Sequence, residues 1–199
     1  MFNTKTFSMI MLAGLMMVFW QTGTPWASQY GELNYADAVY SFTAGSNVDD
    51  PYLDPSKALG EEDGYFVSLG KGGVLILEFT DNALKADETN QYDLEIRDIG
   101  AADGISVAIS TDCTNWISVG SNWGTDWRAF DIDPYADSDA LYRYVKIVDD
   151  GDYDTSYPTA GFDVDAVAAV NYTPVPLPSS LLLLGTGLIG LVGVRRRRG

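Results

Sequence analysis

Asp163 and Asp165 stand two residues apart in the run Gly161-Phe162-Asp163-Val164-Asp165-Ala166-Val167. On a strand both side chains would leave on one face, because side chains alternate across a sheet. Two carboxylates on one face repel unless separated, solvated or bridged by a cation. A hard divalent cation, held by carboxylate and backbone carbonyl oxygens, would be such a bridge. Asp63-Gly64 offers related chemistry, since a glycine-bearing loop can turn its carbonyls inward. A second chemistry is suggested by Trp123-Gly-Thr-Asp126-Trp127, preceded by Asn122, followed by Arg128 and expected on a loop. Sugars stack their apolar faces on aromatic rings while polar groups fix orientation. Trp123 and Trp127 would be the rings, and Asn122, Asp126 and Arg128 the polar partners. Each tryptophan also has a plain packing role open to it, and Trp116, in a hairpin strand, is expected in the core.

Composition removes several classes. The chain has no histidine, which excludes Ser-His-Asp and Cys-His nucleophiles and the common zinc-hydrolase ligand sets. Its one cysteine, Cys113, allows no internal disulfide. A carboxylate-pair glycosidase is the enzymatic alternative, but with 28 acidic residues some pair always lies at a suitable separation. The expectation is therefore a protein that is not an enzyme. Between residues 29 and 172 lie seven Lys and Arg against 28 Asp and Glu, a net charge of −21. Such a surface repels phosphate backbones, so no nucleic-acid partner is expected, and it suits solubility and divalent cations.

The elements that must position these residues read as β. Short apolar runs are punctuated by Gly, Asp, Asn and Pro. They predict nine strands over 35–42, 65–69, 74–80, 93–99, 105–110, 116–119, 128–132, 142–148 and 163–170. Leu75, Leu77 and Phe79 alternate with Ile76 and Glu78, and Val145 and Ile147 alternate with Tyr144 and Lys146. The expected fold is all-β, a two-sheet antiparallel β-sandwich.

Both ends read as delivery signals. Lys5, an apolar run from Phe7 to Trp20 and a small polar stretch to Ser28 predict a signal peptide over 1–28, with an uncleaved anchor as the alternative. Thr173–Pro178 reads as a stiff proline-rich linker. The stretch from Leu177 to Val194 is long enough for one transmembrane helix, and Arg195, Arg196, Arg197 and Arg198 would hold its end on the cytoplasmic side.

The tail Val175-Pro176-Leu177-Pro178, with its apolar Gly-rich segment and four arginines, resembles the PEP-CTERM sorting signal in its VPLP-type variant. That resemblance covers the tail at 173–199, with Leu177 where the commonest version has glutamate. It implies a transient inner-membrane anchor, recognised by an exosortase-type processing enzyme in a Gram-negative bacterium that makes extracellular polysaccharide. Residues 29–172 in turn resemble discoidin-like, galactose-binding-like jelly-roll sandwiches. Ala58-Leu-Gly-Glu-Glu-Asp63-Gly64 with Phe66–Gly70, Val107–Trp116, and Tyr142–Ile147 followed by Gly161–Val167 carry the likeness. Cys113 stands where that hairpin usually has glycine. The resemblance implies a structural calcium ion where the loop of Asp63 meets the strand of Asp165. The joint expectation is a protein exported to the cell surface or extracellular matrix. It would bind polysaccharide or another matrix component through a calcium-supported sandwich. The alternative is a structural matrix protein without a specific ligand.

Overall fold

The computed structural model of the chain describes residues 33–151 and 158–175. The expected signal helix over 1–28 and the expected transmembrane helix lie outside the described residues, as do Pro176, Leu177, Pro178 and Arg195 to Arg198. Among the described residues no helix is long and apolar enough to cross a membrane.

Two five-stranded antiparallel sheets make up most of the described chain. The first runs β1 (Asn34–Tyr35), β11 (Asp163–Ala169), β6 (Leu94–Asp98), β9 (Trp127–Phe130), with β3 (Val67–Ser68) also paired to β11. The second runs β2 (Ala38–Thr43), β4 (Val74–Glu78), β10 (Tyr144–Asp149), β7 (Asp103–Ser110), β8 (Ile117–Gly124). A two-stranded ribbon joins β5 (Asn82–Leu84) to β12 (Tyr172–Pro174). One cluster of buried side chains draws Leu75, Leu77, Val107, Ile109, Val145 and Ile147 from the second sheet. It draws Leu94, Ile96, Val164 and Val167 from the first, so the sheets share a sandwich core.

β4 and β10 bury alternate residues, as their period-2 patterns predict. β11 is buried along its whole length, with Ala166, Ala168 and Ala169 among its residues. A short 3₁₀ turn at Pro55–Ala58 contacts it, capped by the Asp54 side chain, which accepts from Ser56 N–H. This turn thus covers a central strand of the first sheet.

Three expectations change. The strand expected over 35–42 is two strands in different sheets, broken after Tyr35. The segment expected to end at Val119 continues as β8 to Gly124, paired with β7 across a register shift at Val107/Ala108. Thr173 and Pro174, read as linker, are the end of β12, opposite Ala83 and Asn82. Proline is tolerated there because it ends an edge strand, where no ladder N–H is required of it. The next residue, Val175, donates its N–H to the Asp81 carbonyl at 2.8 Å. The first residue of the VPLP tail is thereby fastened to the sandwich.

Candidate functional site

The loop of Asp63 does meet β11. Asp165 is 2% exposed, and its carboxylate accepts the Asp63 N–H at 3.2 Å and the Gly64 N–H at 3.4 Å. Asp63 Oδ1 accepts the Tyr65 N–H at 2.9 Å. Burial raises the Asp165 carboxyl above its ordinary range, and the two N–H bonds pull the other way. The loop therefore presents donors to Asp165, where a calcium ion would require carbonyl oxygens. Asp165 is also the extra residue of a β-bulge, between Val164 opposite Asp98 and Ala166 opposite Arg97. The bulge breaks the alternation that would have placed Asp163 and Asp165 on one face. Asp163 donates its N–H to Asp98 Oδ1 at 3.4 Å, and its carboxylate lies against Gly100. Hydrogen bonds thus join the loop of Asp63 to Asp165, while Asp163 bonds Asp98, and among the described residues Asp63, Asp163 and Asp165 are not among the carboxylate groups gathered within reach of one ion.

The tryptophan segment is the corner at which the chain passes from one sheet to the other. Trp123 lies on β8 opposite Gly104, and Trp127 opens β9 opposite Arg97. Trp123 is 57% exposed. Trp127 is half-buried beneath the Arg97 guanidinium, 5.8 Å from the ring centre. Arg97 pairs with Asp126, which sits in the turn at φ 74°. Asn122 Nδ2 donates to the Ala129 carbonyl at 3.5 Å. Trp116, expected in the core, is half-buried at the surface with Lys146 Nζ 4.4 Å over its ring.

Arg128 points inward and is 1% exposed. Its guanidinium donates to Asp98 at 2.9 Å, to the Asp126 carbonyl at 3.1 Å and to the Gly124 carbonyl, and lies 5.4 Å over the Phe162 ring. It holds the 124–126 turn from beneath and leaves the surface to Trp123 and Asp126. Burial outweighs this pairing for Asp98, whose carboxyl is pushed up to about 6 despite the adjacent cation. The Arg128 guanidinium is lowered by the same burial.

Two acid clusters have no counterpart among the sequence candidates. Asp103, Asp149 and Asp150 bring carboxylate oxygens within 4.8 Å of one another. Asp149 there accepts N–H groups from Gly72 at 2.8 Å, Gly151 at 2.9 Å and Phe162 at 2.9 Å, and Arg128 attracts Asp103. Asp87, Asp93 and Asp133 form the second cluster, also within 4.8 Å. Asp93 precedes β6, Asp133 follows β9, and Asp87 lies on the loop after β5. Burial, opposed by the Ile132 N–H bond and reinforced by the carboxylates of Asp133, Asp87 and Asp131, pushes Asp93 up to about 7.

The comparisons with known proteins bear on the tail most directly. Residues 174–198 match the PEP-CTERM protein-sorting motif. This motif marks an exported protein that is sorted through an exosortase. No curated protein sequence matches the chain. Solved structures similar to it include the following three. The C-terminal domain of a chitobiase from Bacteroides fragilis is 18% identical, over 73% of this chain and 100% of that one, with a TM-score of 0.45. XRCC1, solved in reduced form bound to the DNA pol beta catalytic domain, is 12% identical, over 73% and 100%, with a TM-score of 0.49. Xyl-CBM35, in complex with a glucuronic acid-containing disaccharide, is 13% identical, over 73% and 95%, with a TM-score of 0.32. The class that fold and tail define is an antiparallel β-sheet domain carrying an exosortase sorting signal.

Proposed function

We propose that this chain is a non-enzymatic protein of the bacterial cell surface or extracellular matrix, and that its sandwich holds polysaccharide or another matrix component. The observation that carries the reading is the sorting motif at 174–198, directly behind an acidic antiparallel sandwich. Exosortase-type processing at the inner membrane would release the domain outward, where its net charge of −21 keeps it soluble.

The ligand face we assign is the β8–β9 corner. Trp123 offers an exposed ring, and the Arg97–Asp126 pair lies beside Trp127, so apolar and hydrogen-bonding groups meet in one place. Arg128 supports that corner from inside. The test is retention on the producing organism's own extracellular polysaccharide, with calcium and with chelator. Wild-type protein should be retained, and Trp123→Ala should lose retention at an unchanged melting temperature. Equal retention of the two would remove the corner from the site. No retention of wild type under either condition would favour a structural matrix protein.

A further inference from the structure

We propose that Asp87, Asp93 and Asp133 form a calcium site at the end of the β6–β9 pair remote from the tryptophan corner. The register sets that location: Trp127 pairs with Arg97 at one end of the strands, and Phe130 pairs with Leu94, next to Asp93, at the other. The inference is independent of the polysaccharide reading, because it is read by metal binding and stability.

The first observation is the juxtaposition of three carboxylates within reach of one ion. The second is that buried oxygens among them lack partners. Asp93 is 1% exposed; its Oδ2 accepts the Ile132 N–H at 3.0 Å, while its Oδ1 has no hydrogen-bond partner. Asp133 Oδ1 accepts the Glu88 N–H at 3.0 Å, while its buried Oδ2 has none. Asp87 Oδ1 accepts the Thr89 N–H at 2.9 Å. The hydrogen bonds thus fix each carboxylate and leave Oδ1 of Asp93 and Oδ2 of Asp133 for another partner.

The third observation concerns charge. The ion pairs among the described residues are Arg97–Asp126, Arg128–Asp98 and Arg143–Glu78, and none reaches this cluster. Buried carboxylate oxygens without a hydrogen bond or a cation are costly, since desolvation and the repulsion among neighbouring carboxylates add. A small hard cation answers both. Calcium fits better than magnesium because it accepts irregular sets of six to eight oxygens, whereas magnesium demands a near-ideal octahedron. The remaining ligands would be waters. A cavity of about 380 Å³ lined by Glu88, Asn90, Asp133 and Ser138 opens beside the cluster and can hold them. The cluster at Asp103, Asp149 and Asp150 differs on this point, because N–H groups and Arg128 already answer its charge. Three carboxylates open to solvent on one side place the affinity in the range of extracellular modules, about 10⁻⁴–10⁻³ M.

A calcium ion here would tie three segments together. Asp87 follows β5, Asp133 follows β9, and the Asp93 carbonyl accepts the Val170 N–H at 2.7 Å in the turn leading to β12. The ion would brace the ribbon from which the chain enters its sorting motif.

The test is a calcium titration of the full chain in detergent micelles at pH 7.5 after chelation, followed by calorimetry and by thermal melting. One ion should bind per cluster, and the melting temperature should rise by about 3–5 °C at ten times the dissociation constant. Sodium chloride at matched ionic strength should give a smaller rise. Asp93→Asn and Asp133→Asn each keep the side-chain shape and should lose the calcium response while still melting cooperatively. Asp165→Asn should retain it. An unchanged wild-type melting temperature up to 10 mM calcium would overturn the site, since the carboxylates would then be sharing a proton. So would a full response in both Asp93→Asn and Asp133→Asn.

Discussion

Cys113 occupies the turn between β7 and β8 at φ 61°, a left-handed conformation that glycine adopts without penalty. A side chain there costs about 1–2 kcal/mol. The turn is held by its neighbours. Asp112 Oδ1 accepts the Thr114 and Asn115 N–H groups at 2.9 and 2.8 Å, and Ser110 Oγ accepts the Cys113 N–H at 3.0 Å. Cys113→Gly should therefore stabilise the protein by about 0.5–1 kcal/mol, after the greater unfolded-chain entropy of glycine is subtracted. Urea denaturation checks the sign; a lower midpoint would mean that the contact between Cys113 and the Tyr40 hydroxyl outweighs the backbone. Arg128 tests the opposite kind of residue. Arg128→Met leaves Asp98 buried without its cation, and should cost about 3–5 kcal/mol in the same experiment. Adding Asp98→Leu should recover most of that loss, because an apolar pair of similar volume often matches a buried ion pair. If the double variant stays as unstable as the single one, the carbonyl contacts to Gly124 and Asp126 are the larger part.

The ribbon of β5 and β12 brings the sandwich to its sorting tail. A chain ending at Tyr172 loses the pairing of Thr173 and Pro174 and the Val175 bond to Asp81. It should be less stable than one ending at Val175 by about 1–2 kcal/mol, from one or two net hydrogen bonds. Equal melting temperatures would show that the ribbon frays beyond Tyr172. The ribbon was not legible in the sequence, for a physical reason. Three residues are too few to display a period, and Tyr-Thr-Pro reads as linker because proline weakens any strand assignment. β4 and β10 were legible because each buries one face against the core, so burial wrote an alternating pattern into them. The bulge at Asp165 was not, since nothing local announces an extra residue. The inward turn of Arg128 was hidden too: an arginine between a tryptophan and an alanine reads as a surface residue until Asp98 is placed beneath it. Asp87, Asp93 and Asp133 lie on separate segments with no motif spacing, and only the fold brings them together. Their one local sign is that Asp93 opens, and Asp133 directly follows, a strand expected from the sequence.

At the scale of the whole molecule the dominant quantity is charge. With 28 acids and seven bases between residues 29 and 172, the sandwich works against its own repulsion at neutral pH. The buried Asp98 adds to this in the same direction. Its folded value of about 6 lies above the ordinary aspartate value of about 3.9, because burial, reinforced by the Asp103 carboxylate of β7, costs more than Arg128 of β9 and the Asp163 N–H of β11 return. The folded protein therefore binds more protons than the unfolded chain between about pH 4 and pH 6. The stability this group contributes is fully present below about pH 4 and is lost as pH rises through about 6. Asp112 has the opposite sign. Its carboxyl is held low by hydrogen bonds from Asn115 and Thr114, so its contribution is present at neutral pH and fades as the solution falls below the ordinary carboxylate range. Calcium-free protein should accordingly melt at a rising temperature from pH 8 down to about pH 5, then decline below about pH 4. Added salt should raise the melting temperature more at pH 8 than at pH 5, because it screens the surface repulsion that acidification otherwise removes. Melts across that range at two ionic strengths check both slopes. A profile flat from pH 8 to pH 5 would mean that neither Asp98 nor Asp93 is raised by its burial, Asp98 being stabilised by Arg128 as much as it is penalised.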